Sequence, residues 1–354
     1  MGLLEQTLDR ITPQDAEARN KAKARLDQLT MPHWALGRVM DLAIDLAGIT
    51  GSLTPRVDRR VIVTMAADHG VVAEGVSKYP QEVTCQMVAN FVHGGAAINA
   101  LSRVVGAKVA VVNMGVAGDL SAIAGKGSVI HCPIGPGTQN IARGPAMSRE
   151  DAIRSVEAGI QIVLDLAAEA DLFGTGEMGI GNTTPSSAIV AALTGRTPEQ
   201  VTGTGTGIDP EQRKHKVSVV EKILQVNRPD PSDGLDVLHK VGGFEIGGIA
   251  GLILGAAASK KPVLIDGFIS TAGAMIAYAF SPVSAQYMIP AHRSMEQGHA
   301  IALEHLGKHP FLDLDFRLGE GTGAALAMAV VEAAVRVLTE VATFEEAAVS
   351  HADK

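Results

Sequence analysis

Only two cysteines, Cys85 and Cys132, occur in the 354-residue chain. That excludes a disulfide framework or a cysteine-built zinc site, and makes a reducing cytoplasm the expected compartment. Aromatic residues are equally scarce, at 3%. A core must therefore come from Ala, Val, Ile and Leu, and a hydrophobic fraction of 46% is enough to supply it. There is no dense Lys/Arg run and the net charge is −8, which argues against a nucleic-acid surface. Residues 1–10 show no signal-type apolar stretch. Of two later apolar runs, 247–258 is too short for a membrane span and 324–338 is interrupted by Glu332 and Arg336. Neither a G-x-x-x-x-G-K-[ST] phosphate loop nor a G-x-S-x-G nucleophile turn occurs, and no repeat is visible.

Glycine, by contrast, is abundant at 39 residues, and it clusters. Apolar periodicity predicts helices over 34–47, 82–91, 96–104, 149–170, 186–193, 211–227, 249–258, 299–306 and 324–338. A β-branched run at 61–65 and short runs at 108–112, 128–132, 262–265 and 287–290 read as strands, and 171–173 starts another. Alternation of the two predicts an α/β protein with a parallel sheet covered on both faces. The length allows one large domain or two modest ones.

Three glycine-rich stretches carry chemistry. In Arg317-Leu318-Gly319-Glu320-Gly321-Thr322-Gly323 a single carboxylate stands between glycines after an extended run, 311–316, and before a helix. The helix start would offer free N–H groups to an anion, and Glu320 is placed either to take a proton from substrate or as a solvated residue at a helix start. Residues 174–185 read as a loop with four glycines, Glu177, Asn182, Thr183 and Thr184, followed by a helix; that is phosphate-cradle composition. Gly174–Gly179 matches G-x-G-x-x-G, without the acidic residue a dinucleotide site needs. Residues 202–209 precede a helix beginning Arg213, Lys214, His215 and Lys216, a second anion contact or an exposed basic helix start. Asp68 and His69, at the end of the first strand, are either site residues or an Asx turn. His305 and His309 are spaced i, i+4 but lack a third ligand, so no metal is expected.

These residues alone define an α/β enzyme with two anion loops and two loop carboxylates, and they do not specify a reaction. The ordered motifs go further: Ala67-Asp68-His69-Gly70-Val71, Glu74-Gly75-Val76, Gly144-Pro145-Ala146-Met147, the run from Gly176-Glu177-Met178-Gly179 to Gly181-Asn182-Thr183-Thr184-Pro185, Lys240-Val241-Gly242-Gly243-Phe244-Glu245, Leu264-Ile265-Asp266-Gly267-Phe268-Ile269-Ser270 and 317–323. Together they closely resemble the nicotinate-nucleotide:dimethylbenzimidazole phosphoribosyltransferases of cobalamin lower-ligand synthesis, over nearly the whole chain. The resemblance implies transfer of phosphoribose from nicotinate mononucleotide to 5,6-dimethylbenzimidazole, with no cofactor, and a homodimer. It implies a doubly wound parallel sheet with a smaller helical lobe: residues 1–54 as a helical segment of that lobe, 55–323 as the α/β substrate-binding domain, and 324–354 as a C-terminal helix partly in the lobe.

The same resemblance makes Glu320 the base and Glu177 a second acidic group near substrate. Phosphate contacts carry over to Gly179, Gly181, Asn182, Thr183, Gly205, Lys216 and Ser294. Leu318, Gly319 and Gly321 would line the site beside Glu320. Tyr79, Pro80 and Met87 would wall the ring pocket, or else belong to the core. Two other readings remain: a different phosphoribosyl or nucleotide-binding enzyme on the same scaffold, and a catalytically silent binder, which could dispense with Glu320.

Overall fold

The computed structural model describes residues 2–121, 129–205 and 207–350. Ser128 and Thr206, at the edges of two predicted features, lie outside the described residues. Six parallel strands form one sheet: β1 Arg60–Ala67, β2 Lys108–Gly115, β3 Val129–His131, β4 Leu172–Met178, β5 Val263–Ile265 and β6 Met288–Pro290. Their order is β3-β2-β1-β4-β5-β6. β1 is central, pairing Val61 with Lys108 on one side and with Phe173 on the other.

Strand periodicity divides two cores. Val61, Val63, Met65, Ala110, Val112, Phe173, Val263 and Ile265 face one; Ile62, Ala66, Val111, Leu172 and Leu264 face the other. On the first face the helices Arg149–Leu166 and Phe244–Ala258 pack most closely. A Cβ at Gly159 would run into the Gly248 carbonyl and one at Gly251 into the Val156 carbonyl, so both helices need glycine where their backbones meet. On the second face lies the helix Thr322–Glu340. It is long and apolar enough to cross a membrane, but half of it is buried in this core. Its far end continues into packing with the helices Ala16–Leu26 and Arg38–Thr50, through Ala22, Leu26, Met40, Ala43, Ala334 and Leu338. Arg25 donates to the carbonyls of Leu338 and Val341, at 2.9 and 3.2 Å, closing the end of that long helix. The first helix, Leu3–Arg10, goes elsewhere, against Arg149–Leu166 and Phe244–Ala258 on the opposite face.

Two expectations change. The predicted three-residue strand at 171–173 runs on through Met178, so Glu177 stands on a strand rather than in a loop. The extended run 311–316 makes only a two-residue strand, Leu312–Asp313, paired with His292–Arg293. A helix over Phe268–Phe280 was not anticipated from the periodicity.

Candidate active site

The strand order reverses direction between β1 and β4. In such sheets ligands lodge in the crevice beyond the carboxyl ends of the strands at that point. There β1 delivers Asp68 and His69, β4 delivers Glu177, and β5 delivers Asp266. The Arg317–Gly323 segment crosses the end of β4. Gly176 is glycine for that reason: a Cβ would strike the Glu320 carbonyl. Gly319 likewise has no room for a Cβ beside the Glu177 carboxyl. The two carboxylates singled out in the sequence are thus brought to one place.

Burial pushes the Glu177 carboxyl up to about 8. Its hydrogen bond from the Asn182 amide, 2.5 Å, opposes the shift, and the neighbouring Glu245, Asp266 and Glu320 add to it. Glu177 is therefore mostly protonated at neutral pH. Glu320 is also raised by burial, and its Oε2 accepts the Ile98 N–H at 3.1 Å, which opposes that shift. Ile98 belongs to the first turn of the helix Ala97–Val104, where amides favour the ionised carboxylate. Glu320 adopts φ +64°, between Gly319 at +86° and Gly321 at +98°. For a residue with a Cβ that conformation costs roughly 1–2 kcal/mol and needs outside support. Support comes from Thr64, whose hydroxyl donates to the Glu320 carbonyl at 2.9 Å, and from Asp266.

Asp266 also corrects an expectation. The start of the helix Thr322–Glu340 does not offer its amides to a ligand. Gly321, Gly323 and Ala324 donate to the Asp266 carboxylate at 3.1, 2.7 and 3.0 Å, and Thr322 donates to the Gly319 carbonyl.

The predicted phosphate residues assemble at the start of the helix Thr183–Thr194. Lys216 is fully buried and donates to the Thr183 hydroxyl at 2.6 Å. Gly205, at φ +51°, approaches both: its Cβ would lie 2.9 Å from Lys216 Nζ and from Thr183 Oγ1. Burial lowers Lys216 to about 8, and Glu296 counters that shift. Glu296 is itself raised by burial, against Lys216, the Gly205 amide and Arg317. Ser294 joins through its hydroxyl, which accepts the Glu296 N–H at 3.2 Å, while its amide donates to His299 Nδ1 at 2.8 Å. His299 is buried and pushed down to about 3, so its ring is neutral, with Nε2–H directed at Thr271. Gly179 packs on His69, Asn182 and the Ala67 carbonyl, and His69 pairs with Glu245 at 2.7 Å; both are buried. Asp68 accepts the Ala117 amide at 2.8 Å, an inward hydrogen bond rather than an exposed turn. Gly181 takes φ +90° ahead of Asn182.

Of the ring-pocket candidates, Tyr79 is 51% and Leu318 57% exposed. Pro80 is exposed, and Met87 packs partly on the second core. Neither Tyr79 nor Pro80 is a core residue. Arg213 is tied to Glu199 and to the Thr202 carbonyl. Among the described residues no group of three His, Cys, Asp or Glu side chains is arranged to hold a metal. A cavity of about 410 Å³ lies apart from this chemistry, between Phe91, Asn99, Arg103 and the first half of β2. Thr64, Asp266 and Glu296 were absent from the predicted site, because none lies within a glycine-rich stretch; Arg317 opens such a stretch but was given no role of its own.

A doubly wound sheet with acidic groups and a buried anion pocket at its switch point defines a nucleotide-handling α/β enzyme, and a phosphoribosyltransferase family model matches residues 11–349. The chain belongs to the nicotinate-nucleotide–dimethylbenzimidazole phosphoribosyltransferase family. It is 67% identical to the protein of that name from Syntrophotalea carbinolica, over 99% of both chains, and 56% identical to that from Desulfotalea psychrophila over the whole of each. It is also similar to the crystal structure of the enzyme from Thermus thermophilus, with TM-score 0.90 and 44% identity over 96% of this chain and all of that one.

Proposed function

We propose that this protein transfers the phosphoribosyl group of nicotinate mononucleotide to 5,6-dimethylbenzimidazole, giving α-ribazole 5′-phosphate and nicotinate. The observation that carries the reading is the meeting of Glu177 and Glu320 at the switch point, within a fold that also buries Lys216 against Thr183. The pyridinium of the nucleotide is already a good leaving group: its C1′–N bond breaks as a benzimidazole nitrogen attacks, and the electron pair stays with nicotinate. The other ring nitrogen gives up its proton to Glu320, whose carboxylate the Ile98 amide stabilises. Glu177, whose carboxyl burial raises, orients substrate, and the pyridinium cation beside it favours its anion. Lys216, Thr183, Gly205 and Ser294 take the phosphate. Tyr79, Pro80, Met87 and Leu318 form an apolar slot for the flat ring.

The test is chromatographic. Nicotinate release from the mononucleotide should depend on added dimethylbenzimidazole and match ribazole phosphate formed; release independent of the base would point to a hydrolase. The same reading includes a homodimer working in the cytoplasm. The exposed apolar Met295 and Leu314 and the two free cysteines support these points. A monomer in sedimentation equilibrium would remove the first.

A further inference from the structure

We infer that Asp266 is a positioning residue for Glu320, with Thr64 sharing the task; this rests on the reading of Glu320 as the base. The two side chains belong to β1 and to the end of β5, the strands flanking β4, and they grip the segment around Glu320 at four points. Asp266 Oδ2 accepts the Gly321 amide, and Oδ1 accepts those of Gly323 and Ala324. The Thr64 hydroxyl donates to the Glu320 carbonyl. Into these anchors run three successive residues with positive φ, Gly319 to Gly321, and only Glu320 among them has a side chain. The carboxylate of Glu320 is thereby directed to the Ile98 amide, instead of following the extended path a Glu would otherwise prefer.

Burial raises the Asp266 carboxyl, but His292 and the three amides oppose that shift, and all three amides donate to carboxyl oxygens that accept. His292 backs it: the imidazole Nε2 lies 3.6 Å from Asp266 Oδ1, and the ring fills the space that a Cβ at Gly323 would need. A residue that merely capped the helix Thr322–Glu340 would need no link to Glu320, and the Thr64 contact on the opposite side would be incidental.

A double-mutant cycle separates the two. Asp266→Asn keeps the shape but sets an NH₂ against an amide donor. It should lower kcat by about 10–100-fold, the usual cost of a misplaced catalytic group, and leave both KM values within about threefold. In a Glu320→Gln background the same change should cost nothing further in kcat, because the positioned group is already inactive. Thr64→Val should show a smaller loss that also vanishes in that background. If Asp266→Asn gives no cooperative melting transition, the Thr64→Val cycle decides alone. Losses that multiply in the double variants, with native-like melting, would overturn the positioning role while leaving the base assignment intact. A wild-type protein without benzimidazole-dependent nicotinate release would overturn both.

Discussion

Glu320 and Glu177 have the same side chain and come from segments packed on one another, and burial raises both above the usual carboxylate range, but different groups oppose the shift. The amide of Ile98 favours the Glu320 anion, whereas Glu177 has the Asn182 amide set against three neighbouring carboxyls and complete burial. Glu320→Gln should therefore lower kcat by about 10²–10⁴-fold with little change in substrate binding. The acidic limb of kcat, where Glu320 takes up its proton as pH falls, should disappear with it. If Glu177→Gln proves the more damaging change and Glu320→Gln keeps most turnover, the roles must be exchanged.

Glu177 makes a separate prediction in stability. Its folded value of about 8 is above the ordinary 4.5, so the native protein holds a proton that the unfolded chain loses between those limits. This contribution to stability is complete below pH 4.5 and is lost as pH rises towards 8, at a cost on the order of a few kcal/mol. Glu177→Gln removes the loss. Its melting temperature, relative to wild type, should rise from about pH 5 to about pH 8; a constant offset would mean that Glu177 is ionised throughout. Both carboxylates were legible in the sequence because glycines flank them. Asp266 and Glu296 were not, since a buried acid is identified by the amides and cations it meets, and those come from distant segments.

Among the elements, β4 shows where local signals mislead. Gly174 and Gly176 suggested a loop, because glycine weakens a strand. Here Gly176 is demanded by close approach: the Glu320 carbonyl occupies the place of its Cβ. Tertiary packing overrides propensity, and the glycine-rich loop begins only after Met178. Gly176→Ala should consequently act on both strand and site. Forcing the two backbones apart should cost about 1–3 kcal/mol of stability, read by denaturant melting. kcat should fall as well, since Glu320 moves with its carbonyl. A stable, fully active Gly176→Ala protein would show that the loop yields without displacing the carboxylate. The long helices suffered less from this ambiguity: Arg149–Leu166 keeps its 3.6-residue periodicity around a single glycine, Gly159.

Across the whole molecule, alternating strands and helices made a parallel sheet predictable, but the order β3-β2-β1-β4-β5-β6 was not, because pairing between distant strands leaves no local pattern. That order sets the acidic cluster at the end of β4 beside the start of the helix Thr183–Thr194, and it divides recognition between them. If the phosphate is held at Lys216 and the ring elsewhere, Lys216→Ala should weaken nicotinate mononucleotide alone, by roughly 1.5–3 kcal/mol for a charge-assisted contact. Dimethylbenzimidazole binding should be unchanged. Because burial brings Lys216 down to about 8, kcat/KM for the mononucleotide should decline as pH rises through that value and the ammonium is lost. Glu177 titrates in the same region, so the limb needs assignment by substitution. It should persist in Glu177→Gln and be missing from Lys216→Ala. The converse pattern would make the alkaline limb a property of Glu177, and equal weakening of both substrates by Lys216→Ala would leave Lys216 as a structural cation beneath Thr183.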